Sequence, residues 1–279
     1  MAEVKKTLLY YLWIPKEFSD KEQMMYNIHL RCLRYYSAIF SDAVFIVAMD
    51  TPDDESTYHS VVKDIANIGF SGNISITKTE NNSFYREGEY VKKLIVDKAA
   101  EIDGLVFFAH SKGMYNISHG ASLSAYTAFN EYSITRWVCA LYFFNLNFMN
   151  EVLSAMGDGK IVFGALLNKY KTDDKPPFDT GWQFNGSFYW INPKRLANYL
   201  QYHNLKTPEL DNRLYAEDWM RHIIPFDFRF ISTRSTYYID TDKYGISMYL
   251  HADEFIKAIS GEPNDFEEYN NFLKIIIDK

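Results

Sequence analysis

Apolar residues follow two alternating patterns through the first 110 positions of the chain. Short, almost wholly apolar runs have the length of buried strands, and the segments between them carry apolar residues at helical spacing. The predicted strands are 7–13, 43–49, 73–79 and 105–109, and the predicted helices are 19–39, 54–68 and 87–101. Because strand and helix alternate at this pitch, the sequence predicts right-handed βαβ units and an α/β fold with a mostly parallel sheet.

Two helix starts carry sequence signals of their own. Ser19 and Glu22 have the spacing of a capping box, in which each side chain binds the backbone N–H group of the other residue. Asn192 and Pro193 predict the start of a helix that runs to about His203, because proline is favoured at the first helical position.

The second half of the chain is less regular. The predicted elements are a long helix at 132–149, strands at 161–167 and 184–191 joined by a long connection at 169–181, and a C-terminal helix at 265–277. After residue 231 the periodicity weakens. No repeat or low-complexity linker divides the chain, so one domain over 1–279 is predicted. Its regular half, 1–113, is suited to binding a nucleotide, and its irregular half, 114–279, to binding an acceptor.

Composition narrows the function classes. The net charge of −7 disfavours a nucleic-acid-binding protein, which normally presents a basic surface. Cys32 and Cys139 do not form a close-spaced pair, so neither a disulfide framework nor a structural zinc site is expected. The N-terminus lacks the design of a signal peptide, and no apolar run reaches the length of a bilayer span. These features predict a soluble cytoplasmic protein, with peripheral association at an inner membrane left open.

Candidate chemistry lies where the predicted strands end, because ligands of open parallel sheets bind beyond the carboxyl ends of the strands. The fourth strand ends abruptly in His110-Ser111-Lys112-Gly113. Lys112 has the charge to neutralise a phosphate, and His110 can donate to a phosphate or bind a metal. Gly113 permits a tight turn or a close approach to a ligand. The alternative is a strand that reaches the protein surface and ends in an ordinary polar turn without a ligand.

Two further groups of residues belong to the second half. Gly186 interrupts an aromatic stretch, 182–190, whose rings are suited to stacking on a sugar. The alternative interpretation is an edge strand that is covered by aromatic core residues. Glu217 and Asp218 precede Trp219, and one of these carboxylates is suited to act as a general base. Acidic residues at a helix start are also stabilised by the helix dipole whatever their function.

The chain lacks the sequence motifs of several enzyme classes. The pattern GxGxxG is missing after the first predicted strand, and a P-loop pattern is missing throughout. A nicotinamide-dependent oxidoreductase and a P-loop NTPase are therefore disfavoured. The chain also lacks the GxSxG turn of the serine hydrolases that use an α/β sheet.

In this order, the three groups resemble motifs of small GT-A-type glycosyltransferases of bacterial surface-polysaccharide loci. That family has a strand ending in His-x-Lys-Gly, then an aromatic strand with the pattern G-N/S-F-W/Y-W, then a Glu-x-Trp segment. The corresponding residues here are 110–113, 186–190 and 217–219, and the match covers roughly residues 105 to 220.

The resemblance implies a GT-A-like fold and transfer of a sugar from a nucleoside diphosphate to a hydroxyl group. A UDP-sugar is the favoured donor, and a glycan or lipid-linked molecule is the expected acceptor, as in surface polysaccharide or lipopolysaccharide synthesis. The acidic segment, Glu217-Asp218, stands where inverting enzymes of this fold carry their base. The donor diphosphate would meet Lys112, His110 and Gly113.

Other candidate residues are expected around the donor. Gly186, Ser187 and Trp190 would line the sugar and acceptor site. Trp13 and Asp50 end the first two strands, where the nucleotide would lie; for Asp50, a contact to the base or ribose and a helix-capping role are both open.

One departure from the family concerns the metal. Most GT-A enzymes hold Mg²⁺ or Mn²⁺ with Asp-x-Asp at the strand end where this chain has His110-Ser111-Lys112. A divalent metal is therefore uncertain, and no metal ligand is predicted. The rival functions are a sugar nucleotidyltransferase, which needs a Gly-rich basic loop after the first strand, and a non-catalytic carbohydrate-binding protein that uses the aromatic residues.

Overall fold

A single mixed sheet of eight strands runs through both halves of the chain. The computed structural model describes residues 4–81, 86–111, 113, 114, 117, 131–171, 180–184, 187–205, 219–237 and 263–277. The strands are β1 (Lys6–Ile14), β2 (Asp42–Met49), β3 (Asn73–Glu80), β4 (Leu105–His110), β5 (Val162–Lys171), β6 (Thr180–Phe184), β7 (Tyr189–Ile191) and β8 (Ile231–Tyr237).

The strand order separates a parallel half from a mixed half. Strands β3, β2, β1 and β4 lie side by side and parallel. Strand β7 then pairs antiparallel with both β4 and β5. Strands β6 and β7 follow one another along one edge of β5, and β8 pairs parallel with the other edge. The mostly parallel sheet predicted for the first half is therefore confirmed.

Helices cover both faces of this sheet. They are α1 (Asp20–Tyr36), α2 (Glu55–Ala66), α3 (Arg86–Val91), α4 (Glu131–Leu146), α5 (Met149–Gly157), α6 (Pro193–Tyr202) and α7 (Pro263–Ile277). A π-helical turn, Lys92–Val96, continues α3, and 3₁₀ turns occupy Ser37–Ile39 and Trp219–His222. In the described residues, no helix combines the length and the apolar character needed to cross a membrane.

Alternate residues of β1 enter two separate cores, because successive side chains of a strand point to opposite faces. Leu8 and Tyr10 pack with residues of α1, α4 and α7. Leu9 and Tyr11 pack with residues of α3, α6 and the turn at Trp219. Burial on both faces explains why the parallel strands are almost continuously apolar.

The predicted helix starts are confirmed. The backbone N–H of Ser19 donates to Glu22 Oε2 over 2.9 Å, and the N–H of Glu22 donates to Ser19 Oγ over 3.3 Å, which completes the capping box. At α6, Asn192 Oδ1 accepts from the N–H of Arg195 over 3.1 Å, and Pro193 is the first helical residue.

A buried polar cluster joins β1 to α1 and α4. The Tyr10 hydroxyl lies 2.9 Å from His29 Nδ1, the Tyr142 hydroxyl lies 2.8 Å from the same nitrogen, and the two hydroxyls are 3.0 Å apart. Burial raises the pKa of both tyrosines well above the usual value, so both stay neutral. The cluster therefore satisfies its polar groups within a core that is otherwise apolar.

Three boundaries in the second half differ from the prediction. The helix expected at 132–149 is two helices: α4 ends at Leu146, and α5 begins at Met149. Of the strand expected at 184–191, β7 covers only Tyr189–Ile191, and Phe184 is the last residue of β6. Strand β8 was not expected, and the connection predicted at 169–181 is shorter because β5 extends to Lys171.

Candidate functional site

The strand order reverses between β1 and β4, and the carboxyl ends of these two strands form the crevice where open α/β sheets bind ligands. Ser111 joins the two ends. Its Oγ accepts from the N–H of Trp13 over 2.9 Å, and its own N–H donates to the carbonyl of Tyr11 over 3.0 Å. Ser111 is buried, and its two hydrogen bonds hold the carboxyl ends of β1 and β4 together beside the crevice.

A polar network crosses the ends of β1, β2 and β3 beside this crevice. Trp13 Nε1 donates to Asp50 Oδ1 over 2.9 Å, and Asn81 Nδ2 donates to the same oxygen over 2.7 Å. The Tyr11 hydroxyl lies 3.5 Å from Asn81 Oδ1. Among the described residues, no side chain or backbone N–H donates to Asp50 Oδ2. The network therefore holds an exposed carboxylate in one orientation with one oxygen available to a ligand.

The sequence prediction missed Asn81. It follows β3 directly, and its N–H donates to the carbonyl of Met49 over 2.8 Å. The available signal was its position: it is the polar residue at the third parallel strand end, next to Asp50 at the second. Nothing in the local sequence indicated that the two side chains meet.

The helix-capping alternative for Asp50 is wrong. Asp54 caps α2, because its Oδ1 accepts from the N–H of Thr57 over 3.0 Å and its Oδ2 from the Thr57 hydroxyl over 2.6 Å. These hydrogen bonds lower the pKa of Asp54 below its usual value. Asp50 is thus left without a structural role at the helix start.

His110 is the last residue of β4 and is half-buried. Its ring stacks on Phe108 at a centroid distance of 6.4 Å and lies 6.1 Å from the ring of Phe188, which precedes β7. The end of β4 and the start of β7 are therefore adjacent, as their antiparallel pairing requires.

Gly113 makes the tight turn that the sequence predicted. Its φ is +87°, a region that residues with a Cβ rarely adopt. A Cβ at this position would lie 3.0 Å from Ile134 Cγ2 and 3.1 Å from Val138 Cγ2. The close approach that Gly113 permits in the structure is thus to helix α4.

We expect Gly113→Ala to lower the free energy of unfolding by about 2–4 kcal/mol, because it adds backbone strain to overpacking. Urea denaturation followed by circular dichroism measures the change. Gly157→Ala is the matched control: Gly157 has open space around its Cβ position and lies in α5, so this variant should be neutral or slightly more stable. Equal stability of the two variants would contradict the assignment.

Ser187 separates β6 from β7 with an unusual backbone. Its φ is +56°, its side chain is fully buried, and its Oγ has no hydrogen-bond partner among the described residues. The following ring, Phe188, packs edge-on against Tyr142 at 4.9 Å. A strained residue with an unused buried hydroxyl is typical of a functional position.

The structure places Trp190 in the core. Its side chain is fully buried, its ring lies 5.0 Å from Phe107 and 5.9 Å from Phe40, and its Nε1 donates to the carbonyl of Asn145 over 2.9 Å. Trp190 supports the sheet beneath the crevice, and in this conformation its ring has no face toward a ligand.

Four predicted site residues lie outside the described residues: Lys112, Gly186, Glu217 and Asp218. Trp219, which follows the acidic pair in the sequence, is described and buried. Its Nε1 donates to the Tyr189 hydroxyl over 2.9 Å, so this part of the 3₁₀ turn is anchored to β7.

The described side chains do not fit Mg²⁺ or Mn²⁺, which prefer several carboxylate oxygens. The end of β4 contributes an imidazole from His110 and a hydroxyl from Ser111 that already accepts from the backbone of Trp13. Within the described ranges, no group of three or more His, Cys, Asp or Glu residues could hold a metal. The arrangement instead offers a fixed carboxylate acceptor, an indole and an imidazole around one crevice.

No protein-family model and no curated protein matches the chain. Among solved structures it is similar to 4-diphosphocytidyl-2C-methyl-D-erythritol synthase from Anaerococcus prevotii, at 8% identity and a TM-score of 0.37, over 96% of this chain and 99% of that one. A similarity at this level carries no argument about function. The chain is an α/β protein with a mostly parallel sheet between two layers of helices.

Proposed function

We propose that the protein is a glycosyltransferase that moves a sugar from a nucleoside diphosphate to a hydroxyl acceptor. The observation that carries this proposal is the Asp50 carboxylate, held by Trp13 and Asn81 next to the β1–β4 crevice. A fixed acceptor oxygen in that place suits the N–H or O–H donors of a nucleoside.

The nucleoside would lie across the ends of β1, β2 and β3. Asp50 Oδ2 would accept from the base or the ribose, and the half-buried indole of Trp13 would contact the apolar part of the nucleoside. Because Asn81 and Trp13 already share Oδ1, the carboxylate needs no reorientation when the nucleoside arrives.

The diphosphate would extend from the nucleoside toward the end of β4. His110 would donate to a phosphate oxygen, and Lys112 would supply positive charge where most enzymes of the resembling family use a metal. This role of Lys112 rests on its sequence position after His110 and Ser111.

Transfer in this proposal proceeds with inversion at the anomeric carbon. The acceptor hydroxyl attacks that carbon, the bond to the β-phosphate oxygen breaks, and the hydroxyl proton passes to Asp218 or Glu217. The nucleoside diphosphate leaves with its charge balanced by Lys112 and His110. Ser187 would line the sugar and acceptor side with Gly186, and its buried, unused hydroxyl supports that role.

The chain from β1 to α1 disfavours the rival nucleotidyltransferase. Residues 15–19 contain no glycine and one lysine, so they lack the Gly-rich basic loop that such an enzyme would wrap around a triphosphate. Product analysis separates the two functions: a nucleotidyltransferase makes a nucleotide sugar and diphosphate from a nucleoside triphosphate and a sugar 1-phosphate. Formation of those products would contradict glycosyl transfer.

Nucleotide binding tests the role of Asp50 directly. We expect UDP to raise the Tm of the wild-type protein, and Asp50→Asn to weaken UDP binding by about 10–100-fold, since hydrogen bonds to a charged group contribute about 1.5–3 kcal/mol. Isothermal titration calorimetry measures the Kd. Asp53→Asn, an exposed carboxylate in the same loop, is the control and should bind UDP like wild type. Unchanged UDP binding by Asp50→Asn would refute the assignment.

A further inference from the structure

A second cleft lies at the opposite end of the strands, where β5 and β8 begin and β7 ends. Its volume is about 480 Å³. Its lining includes Arg195, Asn198, Tyr199, Tyr202, His203 and Phe230. Strands β4 and β5 run in the same direction, because both pair antiparallel with β7. The cleft lies at the amino end of β5, whereas the β1–β4 crevice lies at the carboxyl end of β4, so the two sites are at opposite ends of the strands.

One face of α6 forms a wall of this cleft. Arg195, Asn198, Tyr199 and Tyr202 follow the i, i+3, i+4, i+7 spacing of a single helical face. Leu196 on the same helix is fully buried, and Tyr199 packs partly against the core, whereas Asn198 and Tyr202 are exposed. This face carries aromatic and polar groups toward solvent.

The aromatic part of the cleft is a continuous row of rings. Tyr199 contacts Phe230 at 4.9 Å and His203 at 4.4 Å, and His203 meets Tyr202 edge-on at 4.9 Å. Tyr202 is 85% exposed. An exposed ring supported by neighbouring rings offers a rigid apolar surface at a low cost in conformational entropy.

The polar part is also held in place. Arg195 Nη2 donates to the carbonyl of Gly157 over 3.3 Å. Gly159 has a φ of +103°, and a Cβ there would lie 3.3 Å from Arg195 Nη1, so the guanidinium occupies the space above this glycine. Asn198 adds an exposed carboxamide one turn along the helix. No carboxylate belongs to the described lining of the cleft.

We propose that this cleft binds a glycan, separately from the nucleotide. A sugar presents an apolar ring face, which would stack on Tyr202 and His203, and a rim of hydroxyls. The planar guanidinium of Arg195 can donate two parallel hydrogen bonds, and the carboxamide of Asn198 can both donate and accept. Together these groups can bind neighbouring hydroxyls of one sugar. This site goes beyond the proposed function, since it would hold a glycan chain away from the reacting end.

The test uses the labelled full-length protein on an array of bacterial oligosaccharides and polysaccharides. We expect the wild-type protein to bind at least one glycan class, and Tyr202→Ala to weaken that binding about tenfold, because an aromatic contact contributes about 1–1.5 kcal/mol. Gln201→Ala, exposed on the same helix and outside the lining, is the matched control and should bind like wild type. The Tm of both variants should equal that of wild type.

Three results would overturn this proposal: no glycan bound by the wild-type protein, equal binding by Tyr202→Ala, or Tyr202-dependent binding to phosphatidylglycerol vesicles in place of glycans. UDP titration of Tyr202→Ala separates this site from the proposed active site. The variant should keep the wild-type Kd for UDP, whereas a protein that binds glycans but not UDP would retain this site and lose the proposed function.

Discussion

Replacing Lys112 by alanine should lower kcat about 10²–10³-fold, with a smaller change in the KM of the nucleotide sugar. The largest electrostatic demand of the proposed reaction is the negative charge that develops on the departing diphosphate. In the proposed reaction Lys112 meets much of that demand, because its ammonium group lies next to His110 and Ser111 in the sequence. A group that acts mainly on the leaving diphosphate stabilises the transition state more than the bound donor.

Two variants make this experiment decisive. Lys112→Arg keeps the charge and should retain more activity than Lys112→Ala, and Lys98→Ala, an exposed lysine after α3, should react like wild type. Initial rates with a UDP-sugar, at saturating and at low donor concentrations, separate kcat from KM. A Lys112→Ala protein with the wild-type kcat would remove Lys112 from the mechanism.

Replacing Trp190 by alanine should lower the free energy of unfolding by about 3–5 kcal/mol, because a large buried ring is lost and a cavity remains. The variant also leaves the carbonyl of Asn145 without the indole N–H that lies 2.9 Å away. Since typical domains are stable by about 5–15 kcal/mol, this change is large enough to unfold much of the protein at elevated temperature. Urea denaturation at 25 °C measures it.

Trp190→Phe distinguishes a packing role from a contact to substrate. Phenylalanine keeps the ring contacts to Phe40 and Phe107 and loses the hydrogen bond, so a loss of about 1–2 kcal/mol is expected. Its kcat/KM should remain close to that of wild type. A strong loss of kcat/KM with unchanged stability would show that Trp190 touches the sugar and that its buried position changes during the reaction.

The parallel half of the fold was predictable from local patterns. Strands β1 and β2 are buried on both faces, so they read as apolar runs, and Ser19 with Glu22 marks the start of α1 in the sequence itself. The half beyond α4 was less predictable because its sheet depends on pairing between distant segments. Strand β8 pairs with β5 across 69 positions of the chain, and its own residues, Ile231–Tyr237, carry little apolar character.

The candidate site was predictable only in outline. Asp50 and Trp13 follow from the rule that ligands bind at strand ends, but their joint hydrogen bonds with Asn81 depend on the order β3-β2-β1, which the sequence does not state. The orientation of Trp190 was also hidden, because an aromatic strand looks the same whether its rings face a ligand or the core. Ser187 could not be recognised as strained, since φ is set by the packing of its neighbours.

The most direct test of the proposed nucleotide site is a crystal structure of the protein with bound UDP, determined with and without Mn²⁺. We expect electron density for uridine against Trp13 with a hydrogen bond to Asp50 Oδ2, and density for the diphosphate beside His110, in both crystals. Nucleotide density at another place in the fold, or a crevice that stays empty at saturating UDP, would contradict it.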